Sequence, residues 1–378
     1  MKRIKNNLTI ILFCIVIFTV CAAFIFVPDK DVSKAERRKL AQLPEISFEE
    51  VFSGGFSVSL EEYLLDQFPM REAFRAINAR VRTKVLGQKD VNGIWVKDGN
   101  ILRHENTLKK DQVEYGVSVI NRVKKTYLDG MNVYYSVIPE KSYYVREDSL
   151  YPEFDYEGML DILHEGIEDA EYIDIFETLD ASDYYRTDSH WSQEKIVPVA
   201  EKIAEGMNMA GFVTEEEEYT VREISPFYGV YWGQAALGSE PDTIFYLTGE
   251  YTENAVVSGI DPETLKKDFG VEMEISPKVY ALEKFNGVDS YDIFLSGAQP
   301  IIKIDCKNAK TDRELVLFRD SFASSLAPLL TGAYSKITLV DLRYIPISMV
   351  GNYVEFNQGQ DALFLFSGSL INSSMLMR

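Results

Sequence analysis

The residue types that can do acid–base and nucleophilic chemistry are concentrated in two short segments. Residues 185–192 read YRTDSHWS and place Asp188 two positions before His190. Residues 315–323 read LVLFRDSFA and contain Ser321 just after an apolar run. A carboxylate beside an imidazole orients the ring and stabilises its protonated form, as a general base requires. A serine hydroxyl becomes a nucleophile when such a base lies within about 2.6–3.2 Å.

Both segments are predicted to lie where a secondary-structure element begins or ends. Side chains two apart on a helix point about 200° from each other, so Asp188 and His190 share a side only in a loop. Ser192 is predicted to cap the helix that follows this loop. Ser321 lies between a predicted strand and a predicted helix, at the sheet edge where α/β folds place their sites. The amide groups of that helix start are expected to hold an oxyanion.

Each segment also has a structural interpretation. An Asp-x-His pair is a common hydrogen-bonded loop feature or a pair of metal ligands. Asp320-Ser321 before an apolar run is a common helix cap. The spacing alone therefore leaves catalysis and these alternatives open.

The surrounding sequence alternates between strand and helix patterns. The predicted strands are 132–138, 172–176, 315–318, 337–340 and 363–366, and the predicted helices are 108–127, 156–170, 192–207 and 322–330. Short apolar strands separated by helices indicate a parallel sheet covered on both faces, an α/β fold. Residues 213–310 depart from this pattern and are predicted to form an antiparallel β-rich insertion. Upstream, two helices separated by Pro69 and a hairpin around Asp98-Gly99-Asn100 are predicted.

The N-terminus predicts a membrane segment. The uncharged apolar run 8–27 has about the 20 residues that a helix needs to cross a hydrocarbon core of roughly 30 Å. The cations at positions 2, 3 and 5 keep the N-terminus cytoplasmic, so that the rest of the chain lies outside. A cleaved signal peptide is the alternative, with Ala22 and Ala23 as a weak cleavage site. We expect an uncleaved anchor over 1–27, a stalk over 28–50 and an extracytoplasmic domain over 51–378.

Composition excludes several classes of partner and site. The net charge of −20 repels phosphate backbones and anionic lipids, so no nucleic-acid partner is expected and a neutral or basic glycan is more compatible. Cys306 is the one cysteine outside the predicted anchor, which leaves no intrachain disulfide, and its surroundings predict a buried or idle thiol. With His104, His164 and His190 as the histidines of the sequence, no multi-histidine metal site and no cofactor are expected.

The segment YYRTDSHWS resembles the signature of the DHHW family, bacterial envelope proteins named for that tetrapeptide. Here the tetrapeptide reads Asp188-Ser189-His190-Trp191, with serine in place of the first histidine. Similar family segments occur at 56–71, 91–102, 227–246, 320–330 and 341–344. The family resembles the SGNH-hydrolase-like proteins that O-acetylate alginate, in which the serine follows the Asp-x-His. This resemblance implies a three-layer αβα SGNH-hydrolase-like fold.

The resemblance also assigns roles, with Asp188 orienting the base, His190 as the base and Ser321 as the nucleophile. It implies an O-acetyltransferase or esterase of cell-envelope polysaccharide that works with a membrane-bound O-acyltransferase. The alternative is a non-catalytic glycan-binding or scaffold protein that keeps the fold.

Further candidates lie near the same sheet edge. Arg343 is a candidate to stabilise an oxyanion or anchor Asp320, and a structural salt bridge is the alternative. Trp191 and Tyr185 are candidates for stacking on a sugar ring, with a core position as the alternative. Lys141 is a candidate for the lining of the cleft. SGNH enzymes keep a glycine before the Asp-Ser pair, where this chain has Arg319, so Arg319 must have an ordinary backbone conformation.

Overall fold

The computed structural model describes residues 2–33, 35–104, 107–148, 151–236 and 240–378. Met1 of the predicted anchor, Lys34 of the predicted stalk and residues 237–239 of the family-like segment 227–246 lie outside the described residues. The chain divides into two compact units, Met1–Asn92 with Trp232–Gly238 and Gly93–Tyr231 with Ser239–Arg378. All candidate site residues lie in the second unit.

The first unit begins with the helix Lys2–Phe26, which is long and apolar enough to cross a membrane. Both a membrane anchor and a signal sequence have this character. The helices that follow are Phe48–Ser53, Gly55–Asp66 and Arg71–Arg80. The break predicted at Pro69 is present, because proline does not continue a helix. The predicted stalk contains a short antiparallel pair, Val32–Ser33 with Arg38–Lys39.

We expect the apolar helix to remain attached to the mature chain. The uncharged run continues through the bulky residues 24–27, beyond the small residues Ala22 and Ala23 at which a signal peptidase would cut. N-terminal sequencing of protein recovered from membranes measures this directly. A mature chain that begins near Ala23 would contradict the prediction.

Within the described residues, a seven-stranded and mostly parallel sheet forms the centre of the second unit. Five parallel neighbours lie in it, in the order Glu171–Tyr172, Asn132–Ile138, Asp361–Ser367, Glu314–Arg319 and Lys336–Val340. The strand predicted over 172–176 is confirmed only at Tyr172, since the strand ends there and Phe176 begins a 3₁₀ turn. Ile301–Asp305 pairs antiparallel with the last of these, and Val256–Gly259 pairs antiparallel with Ile301–Asp305. The predicted α/β class is confirmed.

Helices pack against both faces of this sheet. Leu317 belongs to a buried cluster that includes side chains of the helix Val197–Gly206. Phe318, whose side chain points to the opposite face, belongs to a second cluster with the helices Lys110–Tyr127 and Tyr156–Gly166. Burial on both faces explains why the strand sequences are apolar without alternation.

Residues 213–310, predicted as an antiparallel β-rich insertion, match that description only in part. Thr220–Phe227 and Asp242–Thr248 form a separate antiparallel pair, whereas Val256–Gly259 and Ile301–Asp305 extend the central sheet. The apolar pattern predicts a strand but does not specify which sheet it joins. The other elements here are the helices Val230–Ala235, Glu250–Asn254, Pro262–Phe269, Leu282–Asn286 and Ser290–Ile293.

The predicted hairpin joins Ile94–Lys97 to Asn100–Arg103. Its turn residues Asp98 and Gly99 have φ of 49° and 83°, the positive values that a two-residue hairpin turn favours. Short helical segments complete the chain: Val81–Val85, Lys141–Asp148, Phe176–Thr178, Ala181–Asp183, Gln193–Lys195, Glu216–Glu218, Ala323–Leu326, Ala327–Leu330, Ile347–Val350, Gly368–Ile371 and Ser374–Leu376.

Candidate active site

Ser321 lies in the turn that joins the strand Glu314–Arg319 to a short helix. The buried carboxylate of Asp320 fixes this turn, because it accepts hydrogen bonds from the amides of Phe322, at 3.1 Å, and Ser367, at 2.7 Å. Ser367 ends the neighbouring parallel strand, so Asp320 ties two strand ends together. Ser321 itself stays partly exposed. The turn therefore presents its hydroxyl at the carboxyl edge of the sheet, as the strand–helix pattern predicts.

The Asp-x-His segment forms a narrow loop. The amide of Tyr185 donates to the carbonyl of His190 at 3.0 Å, and the amide of Ser192 donates to the carbonyl of Asp183 at 2.7 Å. These bonds close the loop at its base. Asp188 lies at the tip, and its Oδ1 accepts a 3.0 Å bond from the His190 amide. A closed loop, and not a helix, is what brings these two side chains to one side.

The structure brings the three predicted residues together in one hydrogen-bonded path. His190 Nδ1 lies 2.6 Å from Asp188 Oδ1, and His190 Nε2 lies 2.8 Å from Ser321 Oγ. A carboxylate only accepts hydrogen bonds, so His190 Nδ1 donates to it and Nε2 is left to accept from the serine hydroxyl. Asp188 is completely buried and His190 is 8% exposed. This arrangement suits proton transfer from the hydroxyl to the imidazole.

Aromatic rings enclose the imidazole. The ring of Tyr291 stacks on His190 at a centroid distance of 4.0 Å and an interplanar angle of 11°. The ring of Phe322 packs beside it at 4.9 Å. Burial raises the pKa of Tyr291, whose hydroxyl donates to Ser325 Oγ at 2.8 Å. A neutral phenol ring thus restricts the rotation of His190, and nothing in the sequence around Tyr291 singled it out.

A second carboxylate positions the loop. The buried Asp242 accepts from the Thr187 amide at 2.8 Å, from the Thr187 hydroxyl at 2.6 Å and from the Arg186 amide at 3.1 Å. The other oxygen of Asp188, Oδ2, accepts from the amide of Val230 at 2.7 Å. Asp242 and Val230 both lie in the family-like segment 227–246. The resemblance pointed to that segment but assigned it no role.

Lys141 was predicted to line the cleft. It lies instead beneath this loop, where it is buried. Its ammonium donates to the backbone carbonyls of Tyr185, Asp188 and Arg186, at 2.7, 3.1 and 3.2 Å. Burial lowers the pKa of Lys141 to about 7, although the nearby charges of Asp188 and Asp242 oppose that shift. The ammonium form of Lys141 has three N–H donors, and each of them meets one backbone carbonyl of the loop.

Lys141→Met is expected to lower kcat for ester hydrolysis by about 10- to 100-fold, because the loop that carries Asp188 loses its three donors and shifts. KM should change little, since Lys141 is buried away from solvent. Steady-state kinetics with p-nitrophenyl acetate measures both constants. Lys195→Met, at an exposed position, is the matched control and should stay near wild type. A wild-type kcat in Lys141→Met would contradict the positioning role.

Trp191 and Tyr185 are core residues and not sugar platforms. Trp191 is completely buried, and its Nε1 donates to Ser325 Oγ at 2.9 Å and to the Phe322 carbonyl at 3.1 Å. Tyr185 is 4% exposed and packs edge-on against Phe227 at 5.1 Å. Neither ring offers a face to a ligand. Trp191 instead links the histidine loop to the helix that follows Ser321.

Arg343 forms the structural salt bridge that was the alternative to an oxyanion role. Its Nε and NH2 groups contact the two carboxylate oxygens of Asp341 at 2.9 and 2.6 Å. It makes no hydrogen bond to Asp320 among the described residues.

Arg319 has an ordinary strand backbone, as the sequence requires of a residue in this position. It is completely buried, and its NH2 group donates to the carbonyl of Gly297 at 3.3 Å.

Two local predictions at helix starts are wrong. The Ser192 hydroxyl donates to Glu194 and caps no backbone amide, because a short 3₁₀ turn intervenes before the helix Val197–Gly206. Nor are the amides of Phe322 and Ala323 free for an oxyanion, since both donate to Asp320.

Cys306 lies just after the strand Ile301–Asp305 and is buried. Burial raises the pKa of its thiol to about 12, which leaves the thiol protonated and unreactive. No cluster of three or more metal-ligating side chains occurs in the described part of the chain.

Comparisons with known proteins identify the fold. No protein-family model and no curated protein sequence matches the chain. A DHHW family protein from Eubacterium siraeum is 21% identical, with a TM-score of 0.60 over 75% of this chain and 93% of that one. The chain has the fold of a DHHW family protein. Bacillus cereus PatB1, solved with a sulfonyl adduct, is 19% identical, with a TM-score of 0.60 over 76% of this chain and 99% of that one.

The predicted resemblance to the DHHW family is therefore confirmed at the level of the fold. The O-acetyltransferase domain of Pseudomonas putida AlgJ is also similar, at 11% identity and a TM-score of 0.45.

Proposed function

We propose that the chain is an extracytoplasmic, serine-dependent enzyme that transfers or hydrolyses O-acetyl groups on a cell-envelope polysaccharide. The observation that supports this most is the hydrogen-bonded path from Asp188 through His190 to Ser321. In this proposal Ser321 is the nucleophile, His190 is the general base and Asp188 orients and stabilises the imidazolium. The sheet and its helices then form the three-layer αβα arrangement of SGNH hydrolases, anchored by the N-terminal helix.

The reaction has two halves. Ser321 Oγ attacks the carbonyl carbon of an acyl ester while its proton moves to His190 Nε2. His190 then protonates the departing alcohol oxygen, which leaves an acyl ester on Ser321. In the second half, His190 takes a proton from a sugar hydroxyl or from water, whose oxygen attacks the acyl carbon. The bond from that carbon to Ser321 Oγ then breaks, and His190 returns the proton to Oγ.

The substrate class and the partner come from the family resemblance and from charge. DHHW relatives imply an envelope polysaccharide and a membrane-bound O-acyltransferase that supplies acetyl groups. The net charge of −20 favours a neutral or basic glycan. The chemistry needs no metal ion or cofactor, because the side chains named above supply the nucleophile and the base.

Covalent labelling tests this proposal. PatB1 carries a sulfonyl adduct in its structure, and sulfonyl fluorides modify activated nucleophiles, so a sulfonyl fluoride is a suitable probe. Peptide mass spectrometry should find the label on Ser321, and Ser321→Ala should not be labelled. Acetyl transfer from p-nitrophenyl acetate to an envelope oligosaccharide, followed by product mass, then separates transfer from hydrolysis. Glycan binding without labelling or acetyl transfer would favour the non-catalytic alternative.

A further inference from the structure

A cavity of about 810 Å³ lies in the second unit, away from the hydrogen-bonded path described above. Its walls are formed by the start of the helix Pro262–Phe269, residues 272–274 and parts of the segment 284–299. This volume falls in the range of about 300–1,000 Å³ that is usual for small-ligand sites. No candidate site residue predicted from the sequence lines it.

The sheet topology places this cavity at the same edge as Ser321. Ile301 pairs with Val340, the last residue of its parallel strand, and Ile302 pairs with Gly259. The strand Ile301–Asp305 therefore begins at the carboxyl edge of the parallel strands. The strand Val256–Gly259 ends at the same edge. Adjacent strands are about 4.8 Å apart, so this edge region begins roughly 10 Å from the strand that precedes Ser321.

One chain segment contributes residues to both the cavity and the candidate active site. The segment 289–299 contributes Tyr291, which stacks on His190, and Gly297, whose carbonyl accepts from Arg319. Neighbouring residues of the same segment, including Gln299, line the cavity. A ligand held there would contact the chain segment that also carries Tyr291.

Gln299 is a largely buried residue that lines the cavity. It is 5% exposed, and among the described residues its carboxamide makes no hydrogen bond. Its amide atoms are not closed off by the protein, so they are open to a molecule in the cavity. A carboxamide both donates and accepts, as recognition of a sugar hydroxyl requires.

The lining carries an excess of negative charge. Its charged residues are five carboxylates, Glu263, Glu272, Glu274, Asp289 and Asp292, and two lysines, Lys266 and Lys284. Lys266 is already paired with Glu272 at 2.5 Å. The carboxylates outnumber the lysines, so the electrostatic potential in the cavity is negative. This potential attracts an ammonium group and repels carboxylate or phosphate polymers.

We propose that this cavity binds the acceptor glycan, as a saccharide that bears amino groups, and delivers one of its hydroxyls to Ser321. The inference rests on the proposed function for the role of the hydroxyl, but the binding itself does not depend on catalysis. The amino sugar would place its hydroxyls on Gln299 and its ammonium groups near Glu263 and Glu274.

Calorimetric titration of the full chain in detergent with a glucosamine hexamer tests the proposal. Gln299→Leu keeps the volume of the side chain, and a Glu263→Gln/Glu274→Gln double variant changes only exposed lining positions. The double variant should raise Kd for the hexamer by about tenfold or more, the loss expected for hydrogen bonds to charged groups. Gln299→Leu should raise Kd by about two- to tenfold, the loss expected for a hydrogen bond between neutral groups. Glu253→Gln, on an exposed face elsewhere, is the matched control.

The readouts separate this inference from the proposed function. Hydrolysis of p-nitrophenyl acetate should stay at the wild-type level in the double variant, and Ser321→Ala should bind the hexamer as wild type does. Loss of hexamer binding in the cavity variants would uphold the site even if Ser321 proved not to be a nucleophile. Unchanged binding in the double variant, or tighter binding of a galacturonate hexamer than of the glucosamine hexamer, would overturn it.

Discussion

Ser321→Ala and His190→Ala are each expected to lower kcat/KM for p-nitrophenyl acetate by about 10³-fold or more. The first variant removes the attacking oxygen, and the second removes the group 2.8 Å away that accepts its proton. The double variant should lose little beyond either single one, because the members of such a relay act as a unit. Asp188→Asn should cost somewhat less, since the imidazole is then misoriented and not absent.

Ser189→Ala is the matched control for this series. Ser189 lies between Asp188 and His190, is partly exposed, and makes no side-chain hydrogen bond within the described residues. Ser189 occupies the position at which the family tetrapeptide has a histidine. The activity of Ser189→Ala therefore also tests whether the side chain at that position contributes to ester hydrolysis here. Losses that add in the double variant, or a Ser321→Ala variant that keeps its activity, would remove Ser321 and His190 from the proposed roles.

The parts of the site that the sequence predicted are those defined by local pattern. An apolar run followed by Asp320-Ser321 predicts a strand end, and an Asp-x-His before a helix predicts a loop. Because parallel strands end at one edge of a sheet, the α/β pattern was enough to expect both segments there. That topology brings His190 and Ser321 to the same edge although 131 residues separate them.

The parts that the sequence did not predict depend on tertiary contacts. Asp242 is 55 positions from Thr187, and Tyr291 lies in a segment crowded with other aromatic residues. Lys141 donates to carbonyls, which every residue possesses, so no side-chain pattern identifies its partners. Trp191 was ambiguous for another reason, since an aromatic residue beside a catalytic motif fits a ligand platform and a core position equally well.

Gly229→Ala is expected to lower kcat/KM for ester hydrolysis by about 10- to 100-fold, although Gly229 takes no part in proton transfer. A Cβ on Gly229 would overlap the carbonyl of Thr187 and the amide nitrogen of Asp188. Both are backbone atoms, so the side chain cannot rotate away and the loop must move. The shift would also lengthen the 2.9 Å bond from the Gly229 amide to Thr187 Oγ1 and the 2.7 Å bond from Val230 to Asp188.

The loss should appear in kcat together with a fall in thermal stability, because overpacking of this kind destabilises by about 1–3 kcal/mol. Gly249→Ala is the matched control, since its Cβ would meet nothing nearer than 3.4 Å and its φ of −171° is open to any residue. Thermal melts and p-nitrophenyl acetate kinetics on both variants measure the difference. If Gly229→Ala matched Gly249→Ala in kcat, the close approach of the 229–230 backbone would not be what holds Asp188 in place.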